Sequence, residues 1–199
     1  MGPAQEEEPV AATHAVEMDG PAPQRGHGLR RQLLLGFVAL LLVAAAAWAW
    51  HWRTHPTVLP GDGNTLGMTM NAGQVMFEGV TFPDPGTGEK VSIEAAAPRM
   101  LENSADASFE FYVCTLDPER GAIGALRGHR AFSAYCPDAE PIEDGTELDL
   151  GSASAQQLVM LVTAERPGVV VTEGVDLTYS SGLQRGTQAI GIHLRIKSR

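Results

Sequence analysis

Met68, Met70 and Met76 are the first residues along the chain whose type and spacing could do chemistry. Thioethers are soft donors suited to Cu(I), and exported β domains that handle copper draw on such clusters. The same spacing puts Met68 and Met70 on one face of a strand, where methionine fills gaps in a core. Core packing is therefore the expected role. Soft-metal (copper) binding through Met68/Met70/Met76 is the alternative function.

A second cluster is acidic: Asp138, Glu140, Glu143, Asp144, Glu147 and Asp149. Its spacing does not follow the calcium-loop pattern of alternate oxygen donors, a central glycine and a terminal glutamate. Pro137 and Pro141 stiffen the segment, so a solvated connection is expected. Hydrolytic chemistry finds no frame, because the chain has no G-x-S-x-G, no H-E-x-x-H, no P-loop and no dinucleotide fingerprint. His51 and His55 are four apart but lie at the end of an apolar run. The expectation is a protein without enzymatic activity and without a cofactor.

The segment Gly182-Leu183-Gln184-Arg185-Gly186-Thr187-Gln188 stands between two patterned strands. Read from spacing, it is a projecting loop, and Gln184, Arg185, Thr187 and Gln188 are its possible binding residues. An ordinary hairpin connection whose glycines supply positive φ is the expected reading, since the segment only modestly exceeds the common hairpin length. The cysteines number two, too few for a thiolate metal cluster and enough for one bridge. Cys114–Cys136 is the expected disulfide. Closing a loop of about 22 residues stabilises a fold by roughly 3 kcal/mol. Cys114 falls on the strand face opposite Phe109, Phe111 and Val113, so this bridge ties down residues 115–135 and does not cross the core.

What positions these groups is a chain of 199 residues with a net charge of −10. That balance disfavours nucleic acid, whose binding needs a basic patch. Residues 33–50 read LLLGFVALLLVAAAAWAW, without a charge. At 1.5 Å per residue such a run covers the roughly 30 Å hydrocarbon core. Arg25, Arg30 and Arg31 precede it, whereas Arg53 alone follows before Lys90, so the positive-inside rule places the N-terminus in the cytoplasm. Trp48, Trp50 and Trp52 gather at the outer end, as interfacial indoles do. Cleavage after a small-x-small triplet such as Ala47-Trp48-Ala49 is the rival reading. The long segment before the apolar run favours retention.

These considerations divide the chain into a disordered cytoplasmic tail (1–32), a transmembrane helix (33–52), a turn-rich linker (53–66) and an extracytoplasmic domain (67–199). The tail carries three arginines against five acids, net −2; residues 53–199 carry eleven bases against nineteen acids, net −8. Within the domain the hydrophobic period is two. Strands are expected around Val75–Phe82, Val91–Ile93, Phe109–Val113, Leu158–Val162 (buried on both faces), Val175–Tyr179 and Ile190–Ile196. Residues 95–103 offer at most a turn of helix, since Pro98 interrupts them.

The expected fold is all-β, an antiparallel immunoglobulin-like β-sandwich, with a small closed barrel as the other arrangement the period allows. Twelve arginines against two lysines, with abundant alanine, resemble the composition of single-pass envelope proteins of high-GC Gram-positive bacteria. Location and composition together predict a membrane-anchored interaction or accessory module of the bacterial cell envelope. Its expected partner, besides the membrane, is another membrane or envelope protein.

Overall fold

The computed structural model describes residues 26–59, 64–82, 89–117, 119–151 and 156–199, with side chains from residue 30 onward. The tail up to residue 25 and linker positions 60–63 lie outside them. An apolar helix, α1, runs Gly26–Thr54. It starts earlier than residue 33 and ends two residues past 52, because nothing between Gly26 and Arg31 breaks a helix. At 1.5 Å per residue its 29 residues extend about 44 Å. It is long and apolar enough to span a membrane. Contacts divide the chain into two units, residues 1–44 and 45–199. The described part of the first is helix alone, with the side chains of residues 30–44 exposed.

The second unit is mostly strand, in two sheets. In chain order its elements are β1 (Thr65–Met70), β2 (Val75–Gly79), β3 (Lys90–Asn103), β4 (Ser108–Thr115), β5 (Ala125–Arg127), α2 (His129–Tyr135), β6 (Glu140–Pro141), β7 (Thr146–Asp149), β8 (Gln156–Thr163), β9 (Gly168–Ser181), β10 (Gln184–Ile190) and β11 (His193–Ser198). One sheet has the order β1-β11-β9-β3-β7, with β10 also on β9; the other is β5-β2-β8-β4-β6. The pairing is not wholly antiparallel. β1 lies parallel to β11, with Leu66 opposite Leu194 and Met68 opposite Ile196.

Alternation sorts side chains as the period predicts. Phe111 and Val113 of β4 join Leu158, Met160 and Val162 of β8 in a core shared with Ile93, Leu177, Tyr179, Leu194 and Ile196 of the other sheet. Val159 and Leu161, on the far face of β8, join Phe77 and Cys114 in a second cluster. That cluster is covered by Leu116, Ile123, Phe132 and Cys136. β8 is thus buried on both faces, which explains its unbroken apolar run.

Two local expectations are corrected, and one element was not foreseen. Residues 95–103 belong to β3, not to a helical turn. Pro98 is tolerated because β7 pairs β3 only as far as Ile93, leaving that side of the strand as an edge. The run Ile190–Ile196 is two strands, broken at Gly191, whose φ is +82°. There β10 ends and β11 takes over the same flank of β9. Finally, α2 has no counterpart in the sequence reading; its Phe132 stacks on Phe77 with ring centroids 3.8 Å apart.

Candidate functional site: the hairpin and the groove beside it

β9 and β10 form a tight hairpin in which Ser181 faces Gln184. Only Gly182 and Leu183 lie between them, and Gly182 has φ +58° while Leu183 does not reach positive φ. This is the pattern of a type II′ turn, whose twist matches that of the strands. Gln184, Arg185, Thr187 and Gln188 are therefore strand residues. The segment is thus the hairpin connection expected of it, tighter than its seven residues suggested, because a two-residue turn suffices once Gly182 adopts positive φ.

Each of the four side chains has a partner within the chain. Gln184 Nε2 donates to the carbonyl of Trp52 at 2.9 Å. Arg185 donates from Nη2 and Nε to one carboxylate oxygen of Glu94, at 2.8 and 3.0 Å. That bond holds the guanidinium pKa above its ordinary value, with the charge of Glu94 adding to it. Thr187 and Thr178 share a hydrogen bond of 2.8 Å across the ladder.

Gln188 makes the most connected set. Its Nε2 donates to the Leu59 carbonyl at 2.6 Å, and its Oε1 accepts the Leu59 N–H at 3.4 Å. The same Oε1 accepts the Tyr179 hydroxyl at 2.6 Å, and that hydroxyl accepts the Val58 N–H at 3.1 Å. Burial is the first cause lifting the Tyr179 pKa above the usual phenol value. Gly186 completes the fit, since a Cβ there would meet the Thr54 carbonyl and Pro56. Of the four predicted binding residues, Gln184 and Gln188 thus hold the end of α1 and the start of the linker against the sheet, while Arg185 and Thr187 bond the neighbouring strands.

A second amide does the same work elsewhere. Gln157, fully buried, accepts the Ile123 N–H and donates to the Ile123 carbonyl, both at 2.8 Å. Gly79 makes room for this, because a Cβ there would strike both groups. The pairing fixes the segment after β4, whose cysteine Cys114 stands at disulfide distance from Cys136, with Cα atoms 5.5 Å apart. Both cysteines sit in the cluster on the outer face of the second sheet.

Beside Arg185 a groove of about 410 Å³ opens between β3 on one side and β4 with β6 on the other. Glu94, Glu110, Glu143 and Asp144 stand around it, over Phe109, Tyr112 and Ile142. Tyr112 donates to Glu110 at 2.6 Å. That hydrogen bond leads the causes that raise the phenol's pKa, ahead of burial and the charge of Glu110. A groove with this lining attracts cationic groups and offers them an aromatic wall. Of the acidic run read from sequence, Glu143 and Asp144 contribute; Glu94 and Glu110 come from strands that no linear motif connects.

Met70 and Met76 are buried in the shared core and Met68 packs partly buried against it, so all three thioethers are engaged in packing. Glu78 went unremarked in the sequence. It is 2% exposed, on the same face of β2 as Met76, and one carboxylate oxygen has no partner. Burial pushes its pKa up to about 8. Compared with known proteins, the chain matches no family model, no curated protein and no solved structure.

Proposed function

We propose that the chain is a single-pass, membrane-anchored interaction or accessory module of the bacterial cell envelope. Its domain lies outside the cytoplasmic membrane, its N-terminal tail is cytoplasmic, and it acts without catalysis. The partner is another membrane or envelope protein that presents basic side chains. The observation carrying this reading is the groove, in which four carboxylates stand around an aromatic wall. One of them, Glu94, already holds a guanidinium, that of Arg185 at 2.8 Å, whose side chain stays 72% exposed.

An immunoglobulin-like arrangement is supported by strand order. β3, β9 and β11 occupy one sheet as C, F and G do, and β2, β8 and β4 occupy the other as B, E and D do. The cysteines depart from that pattern, since they lie on the outer face of one sheet and not between the two. The positive-inside asymmetry and the tryptophans after the span support the orientation.

A photoreactive residue at Ile142, inside the groove, tests the interaction in native membranes, with one at His129 as control. A discrete adduct from position 142 alone is expected. It should disappear when Glu94, Glu110 and Asp144 are neutralised together as Gln, Gln and Asn. Equal adducts from both positions, or none from 142, would contradict the proposal.

A further inference from the structure

Three contacts fix the direction of β10 relative to the chain leaving α1. Gln184 meets Trp52, Gly186 has Thr54 and Pro56 against it, and Gln188 meets Leu59. Residues 52 to 59 and residues 184 to 188 therefore advance side by side. The hairpin apex directly adjoins Gln184, the residue that meets Trp52. A strand rises about 3.3 Å per residue, so Leu183 and Gly182 lie roughly 3–7 Å beyond Gln184. Gln184 bonds the Trp52 carbonyl, so the apex stands beside the last turn of α1.

The apex has the composition for that depth. Leu183 is 72% exposed, close to Trp48 at 70% and Trp50 at 71%. The turn requires Gly182, but nothing in its geometry requires a large apolar residue at the next position, where polar residues are common. Residues 180–184, Ser-Ser-Gly-Leu-Gln, carry no charge, although residues 53–199 have nineteen acids. An uncharged tip meets an anionic surface without repulsion, and the exposed Arg53 beside it favours phosphate. An exposed leucine on a tip held at the tryptophan-bearing end of α1 offers an apolar point that headgroup-level lipid can cover.

We propose that the β9–β10 apex is a second membrane-contact site, with Leu183 entering the headgroup zone of the bilayer that α1 spans. This rests on the reading of α1 as a retained anchor. It adds that the domain touches the surface and does not hang from a free tether. Two points of attachment, one spanning and one interfacial, fix the face that the domain turns to the membrane.

The test uses the full chain, with Cys114 and Cys136 paired, in vesicles of phosphatidylcholine and phosphatidylglycerol. Leu183→Cys, Leu41→Cys and Glu165→Cys are labelled singly with an environment-sensitive fluorophore. Glu165 is exposed and precedes the end of β9 opposite the apex. At position 183 we expect a blue shift, quenching by lipids bearing a shallow spin label, and loss of the iodide quenching seen at 165. Position 41 should respond to deeply placed labels. If 41 responds while 183 behaves as 165 does, the contact site is overturned and the anchor stands. If 41 also stays open to iodide, the anchor reading falls and the contact site falls with it.

Discussion

Gln188 holds both backbone polar groups of Leu59, a residue 129 positions away, in the manner of a one-residue β-bridge. The arrangement anchors the linker before it enters β1. Gln188→Ala removes both bonds and strands the Tyr179 hydroxyl with Val58 alone. The expected cost is about 1–3 kcal/mol, together with faster hydrogen exchange at the amides of Val58 and Leu59. Gln188→Glu keeps the acceptors but turns an oxygen toward the Leu59 carbonyl, so exchange should accelerate there too. Unchanged exchange in both variants would show that the clamp is not formed in solution.

Gly79 predicts a sharp contrast between glycines. Gly79→Ala drives a methyl group into the Ile123 carbonyl and the Gln157 amide, so a loss of at least about 3 kcal/mol is expected. Gly67→Ala, with open space around its Cβ, should stay within about 0.5 kcal/mol. Urea unfolding of the two variants decides the matter.

How far the sequence carried can be judged from particular elements. β4 and β8 were legible because strict alternation, or burial on both faces, leaves a pattern within the strand itself. β3 was legible only at Val91–Ile93, since Ala95–Ala97 and Pro98 have little strand preference. Pairing with β9, at the expense of register shifts after Ile93, Pro98 and Met100, imposes the conformation. α2 has only seven residues and no side-chain cap at Gly128, so it leaves no local signature. Gln184, Arg185, Thr187 and Gln188 were found by type, but their partners Trp52, Glu94, Thr178 and Leu59 are mostly distant in sequence. The groove was hidden for the same reason.

Glu78 makes stability depend on pH in a stated direction. The folded chain holds its carboxyl protonated up to about 8, whereas the unfolded chain releases the proton near 4.5. Between those values the folded state binds more protons, so its stability declines as pH rises, by up to about 1.4 kcal/mol per unit. The contribution is fully present below 4.5 and lost above about 8. Glu78→Gln should therefore gain on the wild type from pH 5 to pH 8 and hold a constant lead above that. Parallel urea midpoints for the two proteins across this range would refute the burial of an unpaired carboxyl.

The cysteines give a compartment-dependent prediction. Replacing Cys114 and Cys136 together with serine should cost about 3 kcal/mol by releasing the segment between them in the unfolded chain. Non-reducing mass mapping of the protein should show the two linked, and two free thiols would contradict the bridge.

The domain is proposed to lie outside the membrane on a retained anchor. This placement is tested most directly by adding protease to intact spheroplasts carrying a chain with an epitope at its N-terminus. The account predicts that residues 60–199 are digested while the epitope survives on a membrane-bound fragment containing α1. Loss of the epitope with protection of the domain would contradict it.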